Sequence, residues 1–154
     1  MPKSLSTKKS DRLPVCFVCH GAGPMPSLCH DGVLGFEHHA DLVAGLRTLA
    51  EKLPTNKIRA LLVVSAHWDD CETTTINTAA HPSMLYDYSR SSFPDEAFSI
   101  HYSAPGSPEL ASRVKQLLAL QDLPYKDNAD RGWDHGVWVP LSILFPLASI
   151  PVLE

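Results

Sequence analysis

The run RALLVVSAHW, residues 59–68, decides the fold. Leu61 to Val64 is an unbroken apolar, branched stretch, the composition of a parallel strand covered on both faces. It stops at Ser65-Ala66-His67-Trp68, where small and polar residues take over. Upstream, residues 38–53, HHADLVAGLRTLAEKL, place Leu42, Leu46, Leu49 and Leu53 at helical spacing, and Pro54 closes the segment. Further upstream, residues 13–20, LPVCFVCH, form a second short apolar run that ends at the breaker cluster Gly21-Ala22-Gly23-Pro24. This order predicts a β-α-β unit over residues 13–67 with a right-handed crossover. The fold class is α/β, a mostly parallel sheet with flanking helices.

Downstream, CETTTINT (71–78) alternates enough for a strand nearer a sheet edge. Residues 79–107 hold Pro82, Pro94, Pro105 and Gly106 and read as a long irregular segment, which in a compact domain usually serves function. Ser107-Pro108-Glu109 opens a helix, with Ser as N-cap, Pro at the first helical position and an acid in the first turn. Leu110, Val114, Leu117 and Leu118 supply its apolar stripe. ADRGWDHG (129–136) reads as a polar turn, VWVPLSILFP as one short helix from Pro140, and the closing IPVLE as the start of a buried strand. The sheet so obtained looks unfinished.

The 154 residues suit about one domain, and 44% hydrophobic content is enough for a core. A formal net charge of −4 argues against a nucleic-acid surface. No apolar run approaches the ~20 residues of a membrane span. The polar, basic stretch of residues 1–12 is expected to be a disordered tail, with no secretory signal after it. Four cysteines without such a signal imply reduced thiols and a cytoplasmic location.

His20 and His67 each close an apolar run on either side of one helix. On parallel strands both imidazoles lie at the carboxyl edge of the sheet, where open α/β folds bind ligands. Neutral imidazole is the commonest metal ligand, and strand ends are rigid supports for one. Cys16–His20 fit C-x-x-C-H, the haem c signature. Within a strand, however, Cys16 and Cys19 would face opposite sides, so buried, inert thiols are expected instead. In Asp134-His135-Gly136 the carboxylate could orient an imidazole for proton transfer. His30, His38, His39, His81 and His101 show no metal-type spacing, though His81 and His101 could line a pocket in the long segment.

The order His20-Gly21, V-S-A-H-W (64–68), L-Y-D-Y (85–88), Phe93-Pro94, Y-S-A-P-G-S-P-E-L-A (102–111), R-G-W-D-H-G-V-W (131–138) and I-P-V (150–152) resembles the class III extradiol ring-cleavage dioxygenases. The 4,5-DOPA dioxygenase-like branch is the one it resembles. That resemblance implies a partial catalytic domain over residues 13–154. It places two metal-ligand histidines on His20 and His67 and a proton-donating histidine on His135. It implies one Fe(2+) or Zn(2+) ion, a catechol-type substrate and O2 as partners. The family's third ligand belongs to a C-terminal half without counterpart here, so a truncated, non-catalytic remnant with a partial metal site is the alternative expectation.

Overall fold

The computed structural model describes residues 12–28, 39–69 and 72–154. Its regular elements run α1 (Ala40–Lys52), β1 (Leu61–Leu62), β2 (Thr74–Asn77), α2 (Pro108–Ala119), β3 (Tyr125–Asn128), α3 (His135–Leu144) and β4 (Val152–Leu153). Among the described residues the strands pair in parallel, as expected from the apolar run at 61–64. Leu61 and Leu62 lie opposite Val152 and Leu153, and Thr74 to Asn77 lie opposite Tyr125 to Asn128. The N–H of Asn77 donates to the carbonyl of Glu154 at 2.8 Å, which joins the two pairs and leaves β4 between β1 and β2. No helix among the described residues is long and apolar enough to cross a membrane.

Period-two alternation sorts the side chains to two faces. Leu61, Val63 and Val152 join the main core with Leu46 of α1 and Val137, Trp138, Val139 and Leu141 of α3. On the other face Leu153 packs with Ile76 and with Ala111, Val114 and Leu118 of α2. That face is covered unevenly. Leu62 is 61% exposed and Val64 92%, beside an open cavity of about 350 Å³ bounded by Val114 and Leu118.

Helix starts follow cap chemistry. Ser107 Oγ accepts from the Leu110 N–H at 3.4 Å and Pro108 begins α2, as the sequence predicts. α1 ends at Lys52, with Leu53 extended ahead of Pro54. α3 departs from expectation: it begins at His135, five positions before Pro140. Asp134 is its N-cap, accepting from the Val137 N–H at 3.1 Å, and this side-chain acceptor outweighs the start signal of a proline. Pro140 falls inside the helix, where it removes one helical hydrogen bond. β3 is an element the pattern conceals. Its residues YKDN are polar and mostly exposed, because β3 pairs only with β2 among the described residues.

The largest correction concerns residues 13–20. No strand forms there. Val15 and Phe17 are fully exposed, and Cys16 and Cys19 are exposed free thiols rather than buried ones. An apolar run becomes a buried strand only with a neighbour on its edge and cover on its faces; of this run, Val18 is the residue that packs against the core. The first limb of the expected β-α-β unit is therefore an extended segment. Of the expected tail, residues 1–11 lie outside the described residues, as do His30 and His38.

These burials set the expected energetics. Trp138→Ala, at a fully buried position, lowers stability by about 3–5 kcal/mol. Phe17→Ser, at an exposed position, changes it by no more than about 0.5 kcal/mol. Urea denaturation of the two variants measures both, and a large loss for Phe17→Ser would mean that the segment is buried after all.

Candidate functional site

Three histidines from three distant stretches meet at one end of β1. His67 sits in the turn after β1, and His20 closes the extended segment. Gly21 follows at φ +77°, a left-handed turn that sends the chain away from the site. His135 is the first residue of α3. Nε2 of His20 and Nε2 of His67 are 3.1 Å apart. Ring centroids lie 4.7 Å apart for His20–His67, 4.9 Å for His20–His135 and 3.9 Å for His67–His135. His135 is buried, whereas His67 keeps a third of its side chain open to solvent.

Asp134 holds two of these segments together. Fully buried, it accepts from the Ser65 hydroxyl at 2.7 Å and from Arg131 at 2.8 Å, in addition to capping α3. Ser65 Oγ in turn accepts from the His67 N–H at 3.1 Å, and Arg131 donates to the His67 carbonyl at 3.1 Å. The turn carrying His67 is thus tied at both its amide and its carbonyl to the helix end carrying His135. Gly136 permits the close approach: a Cβ there would lie 2.5 Å from Ser65 Oγ and 2.9 Å from His67 Cδ2.

Asp134 does not orient the neighbouring imidazole, contrary to the reading of the Asp-His-Gly turn. That place is taken by Asp87, whose Oδ1 accepts from both the backbone N–H and Nδ1 of His135, at 3.0 and 2.8 Å. Its Oδ2 lies 3.7 Å from His67 Nδ1. Burial alone would raise the Asp87 carboxyl, but the His135 hydrogen bonds outweigh it and hold the group below its ordinary range. Sequence reasoning gave Asp87 no role, although it lies in the L-Y-D-Y stretch within the long irregular segment. An acid flanked by two aromatics there was the available signal.

The donor set suits a divalent ion. With metal–nitrogen bonds of about 2.1 Å, two imidazole nitrogens on one ion stand about 3.0–3.4 Å apart, and the His20–His67 spacing of 3.1 Å fits. Burial, then the neighbouring His135 and His67, lower the pKa of His20 and favour the neutral form that ligates. With His135 included the donor atoms lie within 4.8 Å of one another, a limit wider than the roughly 4.2 Å that one ion can span. His81 and His101 line a separate cavity of about 320 Å³ with Pro82 and Tyr102.

Beneath the clamp lies Glu154, buried, with Oε1 3.8 Å from Nε of Arg131. Burial first, and the nearby Asp134 carboxylate second, raise its pKa to about 8 against the pull of Arg131. The unfolded chain ionises this group near 4.5 while the folded one keeps its proton to about 8, so stability falls as pH rises through that window. Glu154→Gln is expected to flatten this part of the profile. An undiminished slope of urea midpoint against pH in the variant would contradict the assignment. Asp134→Ala takes the buried ion-pair partner from Arg131, leaves the Ser65 hydroxyl without its acceptor and removes a helix cap, and is expected to cost about 3 kcal/mol by the same denaturation assay.

Comparison with known proteins assigns the chain to a family. Residues 19–154 match the family described as the catalytic LigB subunit of aromatic ring-opening dioxygenase. The chain is 33% identical over 147 residues to dioxygenase tasH of Hapsidospora irregularis, covering 92% of this chain and 43% of that protein. It is 40% identical over 110 residues to the 4,5-DOPA dioxygenase extradiol of Beta vulgaris, covering 71% of this chain and 40% of that one. A crystal structure of the uncharacterized protein JW3007 from Escherichia coli K12 aligns with a TM-score of 0.51 at 33% identity, covering 73% of this chain and 38% of that one. The chain therefore spans less than half the length of each of these proteins. With the family match running across residues 19–154, this chain belongs to the LigB family of aromatic ring-opening dioxygenases.

Proposed function

We propose that this chain carries the metal-binding part of an extradiol dioxygenase that opens a catechol-type ring with O2. His20 and His67 hold one Fe(2+) or Zn(2+) ion, and His135 serves as the proton donor beside it. The single observation that supports this most is the 3.1 Å approach of two Nε2 atoms from segments 47 residues apart in sequence. A divalent iron held there would supply open positions at which a catecholate and O2 meet.

The chain's own residues divide the remaining work. His20, turned out of its strand-like segment by Gly21, offers a neutral imidazole. His67 is held by its backbone through Ser65 and Arg131, so its ring direction is set before any ligand arrives. His135 keeps Nδ1–H on Asp87, which leaves Nε2 as the atom that takes a proton from the bound diol and returns it to the opening ring. The exposed side of His67 leaves the substrate a way in.

A second reading, a family remnant that holds metal without turnover, draws on the bare apolar residues Val15, Phe17, Leu62 and Val64. One experiment separates the two. The protein is loaded with Fe(2+) without oxygen, given a catechol and then exposed to O2, while an electrode follows oxygen. Uptake that disappears in His67→Ala supports the enzyme; stoichiometric metal with no uptake supports the remnant. His20→Ala and His67→Ala are each expected to weaken metal binding by more than about 100-fold. Unchanged metal content in either variant overturns the metal assignment.

A further inference from the structure

The geometry points to Asp87 as a positioning residue: a carboxylate that fixes the proton of His135 on Nδ1 and so turns its Nε2 toward the site. This inference rests on the reading of the three histidines as one functional site, and it assigns a task to the long segment between β2 and α2.

The local sequence explains how the carboxylate reaches that point. In an extended stretch neighbouring side chains point to opposite sides. Tyr86 and Tyr88 turn together into an aromatic cluster, with ring centroids 6.1 Å apart; Tyr86 lies 6.5 Å from Trp138 and Tyr88 5.1 Å from Phe93. Their hydroxyls donate at 2.7 Å to the carbonyls of Ile100 and Ala97, which pins the pair to the far limb of the same segment. Asp87, between them, points the other way and meets His135. The stretch is also bonded to the loop ahead of α3: the Leu85 N–H donates to the Trp133 carbonyl and the Trp133 N–H to the Ser83 carbonyl, each at 2.8 Å. Asp87 and His135 are therefore set against each other by backbone pairing, two residues from the bridge between Met84 and Trp133 in the latter case and three in the former.

One carboxylate oxygen serves His135, and the other faces His67 from beyond hydrogen-bond range. Oδ1 takes both N–H groups of His135, and Oδ2 lies 3.7 Å from His67 Nδ1. Which nitrogen of a neutral imidazole carries the proton is set by the hydrogen bond the other nitrogen makes. A carboxylate can only accept, so it selects Nδ1–H and leaves Nε2 with its lone pair.

The test begins with the unaltered, metal-free chain. Nitrogen-15 spectra of its histidine side chains, taken at about pH 8 where imidazole is ordinarily neutral, report the tautomer directly. His135 is expected as Nδ1–H; observation of the Nε2–H form overturns the proposal without any variant. In Asp87→Ala the Nδ1–H signature of His135 is expected to be lost while circular dichroism stays that of the parent. Asp87→Asn, which keeps an acceptor oxygen in place, is expected to restore the tautomer, so it serves if Asp87→Ala does not fold. An unchanged tautomer in folded Asp87→Ala, or no Nδ1–H signature in Asp87→Asn, also refutes it. The tautomer needs no metal and no oxygen. A parent chain with the expected tautomer but no affinity for Zn(2+) would sink the metal site and leave the Asp87 assignment standing.

Discussion

Everything at the site depends on one buried carboxylate, that of Asp134. A buried charge is tolerable only where its lone pairs are used, and here they are: Ser65, Arg131 and the first turn of α3 all donate to it. The consequence is geometric. The end of β1 and the start of α3 are far apart in sequence, yet they share this acceptor, so His67 and His135 cannot move independently. Arg131 adds a second tie, spanning from the Asp134 carboxylate to the His67 carbonyl while its guanidinium covers Trp68 at 4.5 Å.

Much of the fold was legible because its signals are local. The apolar run at 61–64, the leucine spacing of α1 and the Ser-Pro-Glu start of α2 each state their structure within a few residues. What stayed hidden depends on partners far away in sequence. β3 is polar and is a strand only because β2 lies beside it. Residues 13–20 have a strand's composition but not a strand's surroundings, so most of their side chains remain in water. The early start of α3 was hidden differently: Asp134 could be taken for a partner of His135 or for a helix cap, and a string of letters does not say which way a carboxylate turns.

The site shows the same division. Two histidines closing apolar runs, one on each side of a helix, are a pattern visible in sequence, and the structure brings those rings together. The carboxylate that orients His135 comes from an irregular segment where no periodicity announces it. Family resemblance brought forward the stretch that contains Asp87 without explaining it; the hydrogen bonds explain it.

The pairing of Leu61 with Val152 also shapes how the molecule comes to exist. These partners lie far apart along the backbone, and a pairing so non-local must pay for closing a long loop before it returns any energy. On a ribosome that delivers residues in order, the apolar stretch at 61–64 waits for about ninety further residues to emerge before its mate arrives. Through that interval it is a sticky, unpaired edge, the kind of nascent surface that chaperones engage.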